Sequence, residues 1–332
     1  MDIQIFNSEF VAVGTLDSFN SLNYTQKYNK KGTFTIKAQL TAETKELLKV
    51  DNIIYFEGKA GFIESVQYSI DKAETIVATG ASLNYYLNRR IIWNTIDFNG
   101  TVEDFIRKAV DENTITTETN RKLTGLELGT KNNLAATLQK QVSYKNLFTV
   151  VSEVSLAADL GFKIDFIPKE KKLVFNVYEG AETGLVFSRS LDNILSLDYV
   201  DSKKDFTTVM KVGGKGEGTA RVFSVVGNGE GFNRYEGFID ATDLDTEAEL
   251  AQKGKEELAG RYRINTLDGK VNTEVSSSFP LGGKVTLKDL ELGLTLTTRI
   301  TEIEEIYEGK GKTTNLTFGY NVPSIYEKLR GD

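Results

Sequence analysis

Ile63-Glu64-Ser65-Val66-Gln67-Tyr68, a turn, and Thr75-Ile76-Val77-Ala78-Thr79-Gly80 have a counterpart near the other end of the chain: Ile303-Glu304-Glu305-Ile306-Tyr307, a glycine-lysine turn, and Thr314-Asn315-Leu316-Thr317-Phe318-Gly319. Both stretches alternate with period two and are rich in Val, Ile, Thr and Tyr, so each reads as a β-hairpin with one solvated face. From Ile63 to Gly80 is 17 positions and from Ile303 to Gly319 is 16, with a glycine closing both. A further strand precedes each hairpin, at Asn52 to Phe56 and at Lys284 to Leu287. This internal similarity predicts a duplicated β-barrel.

Working outward, short antiparallel strands are expected at Phe10 to Leu16, Ser21 to Tyr28, Gly32 to Leu40, Asn52 to Glu57, Gly61 to Ile70 and Glu74 to Gly80. One short helix interrupts them, with Thr41 or Thr44 as its cap. The middle of the chain changes period. Thr101 and Asp104 open a helix with Val102, Phe105, Ile106 and Ala109 on one face, and Asn132 to Gln141 and Ser143 to Leu160 read as two more, the last ended by Gly161. Phe162 to Pro168 and Leu173 to Tyr178 follow as a hairpin, with the basic run from Lys169 to Lys172 as its turn. Strands resume from Leu185 to Asp240, a charged helix spans Asp243 to Arg263 with Asp245 or Thr246 as cap, strands run from Thr273 to Phe318, and Pro323 to Leu329 reads as a terminal helix. The expected fold class is mainly β with α+β: two similar β-barrel domains, 1–95 and 185–332, flank a small α+β domain, 96–184, and the second barrel carries the inserted helix.

A chain of 332 residues exceeds the roughly 250–300 at which single cores stop growing, which fits several domains. Cysteine and histidine are both absent. That removes disulfides, thiolate nucleophiles, Ser-His relays and imidazole metal sites, so no cofactor or metal is expected. The net charge of −7 argues against specific nucleic-acid binding, which needs clustered Lys and Arg. The first residues lack the basic start and apolar core of a signal peptide, and no stretch approaches 18 apolar residues, so neither export by that route nor a membrane span is expected.

Gly213-Gly214-Lys215-Gly216-Glu217-Gly218 is no phosphate loop, because strand-like Thr219 to Val226 follows it where a helix is required. It reads as a flexible connection between strands, and Gly227-Asn228-Gly229-Glu230-Gly231 as a loop closing a hairpin. Glu302 and Glu304 share one face of a strand and, with Glu305, offer the carboxylates that glycoside hydrolysis needs, or else a solvated charge row. Tyr85, Tyr86 and Trp93 flank Arg89-Arg90, residue types that serve either as interface anchors or as a core edge.

Gly14 to Leu22, Tyr28 to Phe34 with Gly32, Gly80-Ala81-Ser82-Leu83 through Leu87-Asn88-Arg89-Arg90, and Thr298-Arg299-Ile300-Thr301-Glu302 ending at Phe318-Gly319 together resemble the siphophage tail-hub family, relatives of contractile-tail baseplate hubs. The resemblance spans the chain in order. It implies a non-enzymatic virion protein of the tail tip, a homotrimeric ring whose three chains present six similar barrels between the sixfold tail tube and a threefold tip, with a channel for DNA during genome ejection. An acidic lining would suit such passage. Its partners would be further copies, a distal tail or tube protein, and tip or fibre proteins, assembled in the host cytoplasm. Some members carry a C-terminal peptidoglycan-cleaving domain; this chain ends at Asp332, and lytic activity is not carried over. Arg89, Arg90, Trp93 and Arg299 are the expected interface residues. The alternative is a carbohydrate-binding or cell-wall hydrolytic tail module, and a secretion-system spike component would share the design.

Overall fold

A computed structural model describes all residues except 71–73, 205, 262–263, 272–278, 292, 310 and 320–332. The chain opens with β1 (Ile3–Phe6), β2 (Ala12–Leu16), β3 (Ser21–Lys27), β4 (Thr33–Gln39), α1 (Ala42–Leu47), β5 (Ile53–Phe56), β6 (Lys59–Ile70) and β7 (Glu74–Ser82). A 3-10 turn at Leu83–Arg89 leads to β8 (Ile96–Thr101), α2 (Val102–Val110), β9 (Leu126–Leu128), β10 (Thr137–Val142), α3 (Leu147–Ala157), β11 (Gly161–Ile167) and β12 (Lys172–Tyr178). The last part comprises β13 (Glu182–Phe187), β14 (Ile194–Ser202), β15 (Val209–Gly213), β16 (Phe223–Gly227), β17 (Glu236–Asp240), α4 (Glu247–Gly260), β18 (Ile264–Val271), β19 (Lys284–Asp289), β20 (Leu294–Glu308) and β21 (Gly311–Phe318). The protein is mainly β, as expected.

The two β blocks share one pairing order. In the first it runs β1-β5-β6-β7-β4-β3, and in the second β13-β19-β20-β21-β18-β14. They differ at the outer strand, since β1 lies antiparallel on β5 whereas β13 lies parallel to β19. Both long hairpins carry a bulge, between Ile63 and Ser65 in β6 and between Ile300 and Glu302 in β20. The strand before each is anchored alike: Asp51 N–H donates to Ile63 O and Ile63 N–H to Asn52 O, while Gly282 N–H donates to Ile300 O and Ile300 N–H to Gly283 O. The bulges therefore match Ile63 with Ile300, not with the Ile303 that the sequence comparison suggests. Expected closure of each block into a barrel is not seen among the described residues; the strands form one open path in which β3 joins β20.

Side-chain alternation explains the layers. Phe34, Ile36 and Ala38 of β4 turn inward between exposed Thr33, Thr35 and Lys37, and join Ile3, Ile5, Leu22, Tyr24 and Ile63 in the first core. Tyr307 of β20 enters that same core from the second block. The second core gathers Phe187, Ile194, Val285, Ile300, Leu316 and Phe318. Between them α2 and α3 pack on β11 and β12 through Phe105, Ile106, Val151, Phe162 and Phe175, with Phe6 and Phe10 of the first block in the same cluster. The insert between β14 and β18 has its own small core of Met210, Val212, Ala241 and Leu250 under α4.

Thr41 caps α1, Thr101 caps α2 with its side chain on Asp104 N–H, and Thr246 caps α4. Pro168 to Lys171 makes the expected turn, Lys171 taking φ 49°. Three expectations are corrected. Asn132 to Gln141 is not helical: the carboxylate of buried Glu103 accepts from Asn132 and Leu134 N–H, and Thr137 to Val142 pairs with β8 instead. Gly161 does not cap α3, because the turn is made by Asp159 at φ 55°, and Gly161 opens β11 against the ring of Tyr28, where a Cβ would come within 2.3 Å. Gly227 to Gly231 closes no hairpin, since β16 and β17 lie on opposite sides of β15. The terminal helix at Pro323 to Leu329, and the start of the last strand block at Thr273, lie outside the described residues.

Candidate functional site

Sequence reasoning points to four interface residues, and the fold separates them into two places. Arg89, Arg90 and Trp93 lie together after the 3-10 turn. The Arg89 guanidinium covers the rings of Phe62 and Tyr86, 4.9 and 4.8 Å from their centroids, and pairs with Asp51 at 2.5 Å. Arg90 donates to the carbonyls of Arg121, Lys122 and Arg89, and partial burial, with Arg121 and Arg89 nearby, lowers its pKa. Trp93 stays half exposed under the guanidinium of Arg121, 4.8 Å away, beside exposed Tyr144, whose N–H donates to Ile92 O. The result is a preformed cationic and aromatic surface. Tyr85 and Tyr86, by contrast, pack inward on Phe148 and Phe62.

Arg299 is elsewhere and only 5% exposed. Its guanidinium pairs with Asp159, donates to Gly180 O and Gly282 O, and lies over the ring of Tyr28 at 5.0 Å. The Tyr28 hydroxyl accepts from Gly180 N–H and donates to Asp159 O, and burial raises its pKa. These residues come from the first block, the middle segment and the second block, so Arg299 ties three parts of the chain together.

The carboxylates of β20 line the seam with β3, which pairs Glu302 with Lys27, Glu305 with Tyr24 and Tyr307 with Leu22. Each is occupied. Glu302 pairs with Lys27 at 3.2 Å, and Glu304 accepts from Asn23 and Asn315. Glu305, on the opposite face, lies between Lys59 and Lys312, and the Tyr307 hydroxyl beside it donates to Glu57. Burial drives the Tyr307 hydroxyl pKa up, with Glu305 and Glu57 adding to it. This geometry makes the acidic run a charge row along the seam, with Glu305 buried and Glu302 and Glu304 partly exposed. Among the described residues no group of three or more acidic side chains could hold a metal ion, and no helix is long and apolar enough to cross a membrane.

The seam was legible in a signal that the sequence reading passed over. Leu16-Asp17-Ser18-Phe19-Asn20-Ser21-Leu22-Asn23-Tyr24 reappears as Leu191-Asp192-Asn193-Ile194-Leu195-Ser196-Leu197-Asp198-Tyr199. The structure places the two alike, Ser21 opposite Lys37 on β4 and Ser196 opposite Lys270 on β18.

Two blocks of one strand order, joined edge to edge around an α+β middle, define a fold found in phage tail proteins. The chain belongs to the Siphovirus ReqiPepy6 Gp37-like proteins, whose family profile matches residues 2–320. Among solved structures, the prophage MuSo2 43 kDa tail protein of Shewanella oneidensis is similar with a TM-score of 0.66 at 12% identity, over 96% of this chain and 98% of that one. Prophage tail protein gp18 of Listeria monocytogenes gives 0.60 at 13%, over 99% and 98%. The E. coli c3393 protein, a type VI secretion component described as similar to T4 bacteriophage tail proteins gp27 and gp5, gives 0.52 at 13%, over 96% and 77%. No curated protein sequence matches the chain. The chain thus shares its fold with phage tail proteins and with a secretion-system component described as similar to them.

Proposed function

We propose that the chain is a structural, non-enzymatic subunit of the baseplate hub at a siphophage tail tip, a virion component. In this reading three copies form a ring that joins the sixfold tail tube to the threefold tip and lets DNA pass during ejection. The observation that carries it is the duplicated strand order, because three chains with two equivalent blocks supply six similar units, the number a sixfold tube requires. On this view 1–95 and 185–332 act as two barrel-like domains around the smaller 96–184. Arg89, Arg90 and Trp93 would meet a neighbouring tail protein, a tube or distal tail protein above or a tip or fibre protein below. Arg299 would set the angle between the two blocks from within. Assembly in the host cytoplasm follows from the same reading.

The test is the molar mass of the purified protein by light scattering across a concentration series, with electron-microscope images. A mass near three times 36.9 kDa with ring-shaped particles is the expected result. A monomer at every concentration would remove the self-assembled ring.

A further inference from the structure

Where the first block, the middle segment and the second block meet, β3, β6, β11, β12 and β20 border a cavity of about 520 Å³. That volume is in the range of small-molecule sites, which favour such boundaries. Four rings form much of its wall, Tyr24, Phe162, Phe166 and Tyr178, together with Ile164 and Ile303. The charges at the wall are mostly of one sign. Lys27, Lys59 and Lys163 border the cavity, and Asp165, 2.9 Å from Lys163, is the one carboxylate among them. Glu302 and Glu305, which pair with Lys27 and Lys59, do not border it. Most polar groups of the wall are met within the chain: the Tyr24 hydroxyl donates to Ala60 O, and the Asn84 side chain bonds Lys30 O and Ser82. Two are not. The Tyr178 hydroxyl and the Gln26 amide make no hydrogen bond among the described residues. Burial raises the Tyr178 pKa, so at neutral pH its hydroxyl keeps a proton to donate.

The geometry points to a binding site for a small aromatic anion, its rings against those of the wall and its charge toward Lys27, Lys59 and Lys163. An aromatic body suits a wall made of rings, because ring pairs gain more than the area they bury. The sign follows from the three ammonium groups and the Tyr178 hydroxyl, all of them donors. A cation would meet only Asp165, and a neutral ligand would take water from three ammonium groups and return nothing. The ligand would touch all three parts of the chain, so its binding stabilises their arrangement. The site lies within one chain and does not depend on the ring reading above.

The probe is anilinonaphthalene sulfonate, and its neutral counterpart, phenylnaphthylamine, has the same rings without the sulfonate. Fluorescence titration of the full chain should saturate at one sulfonate per chain, with the neutral compound bound roughly tenfold more weakly or worse. Tyr178→Phe and Lys163→Gln should each weaken the sulfonate about threefold to tenfold, the worth of one hydrogen bond. Ala60→Trp, which brings an indole to the wall, should abolish binding. Calorimetry should show the sulfonate raising the Tm of wild type and leaving that of Ala60→Trp unmoved. Equal affinity for the two probes overturns the anionic class. Unchanged binding in Tyr178→Phe, Lys163→Gln and a folded Ala60→Trp, or many weak sites per chain, puts the probe elsewhere and overturns the cavity as its site. If Ala60→Trp loses its cooperative transition, the other two variants decide: weakened binding supports the site, and unchanged binding overturns it.

Discussion

Burial alone would raise the pKa of Glu305, yet Lys312 and Lys59 reach it from two sides and hold it below the usual carboxylate range. A group whose folded pKa is depressed contributes stability above its unfolded value, about 4.3 for Glu, and loses that contribution as pH falls through the folded value. Glu305→Leu should therefore cost roughly 1–3 kcal/mol at pH 7, less than the ~3–5 for breaking a wholly buried pair because both ammonium groups still reach water. In urea titrations the gap from wild type should narrow below about pH 4.3; a gap constant to pH 3 would remove the ion pairs as its cause. Arg299 is the second residue of this kind. Arg299→Met keeps the length and removes the guanidinium donor from the carbonyls of Gly180 and Gly282. The expected loss is about 2–4 kcal/mol, since an unmet buried group costs roughly 1–3 kcal/mol. Limited proteolysis should find the chain more easily cut near Gly180.

Elements whose own residues decide them were readable in advance. The alternation of Thr33 to Gln39 gives β4, and Thr101 with Asp104 starts α2 where expected. The segment from Asn132 to Gln141 is different, because its Leu-Ala-Ala run suits a helix and its fate is set elsewhere. Glu103, wholly buried on α2, binds the N–H groups of Asn132 and Leu134, and β8 takes the following residues as a strand. A carboxylate thirty residues away leaves no periodicity in the segment it holds. Glu103→Ala should free those two donors, cost about 2–3 kcal/mol, and speed amide exchange in β10 before any change in α2. The candidate surface divided in the same way. Arg89, Arg90 and Trp93 are neighbours in sequence and stay neighbours, whereas the partners of Arg299 come from three distant segments that no local pattern connects.

At the scale of the whole molecule, β14 and β18 correspond to β3 and β4, with β15, β16, β17 and α4 inserted in their connection. Replacing 203–263 by a two-residue Asn-Gly turn should leave the parent hairpin paired, since such turns suit antiparallel strands. Calorimetry should still show a cooperative transition, lower by several degrees because Lys140 would lose Glu256, its partner at 2.7 Å. Loss of cooperative unfolding would mean that the insert is integral to the second block. The seam between blocks also has a history in time. A ribosome makes the chain from its N-terminus, and β3 pairs with β20, so the edge from Ser21 to Lys27 waits for a partner made some 280 residues later. On a crowded polysome the rival for that edge is β6 of a nascent neighbour. Where β20 offers Glu302 to Lys27, β6 has Ser65 at the matched position. The ion pair of Lys27 with Glu302 is thus a contact that the late strand makes and the early one lacks.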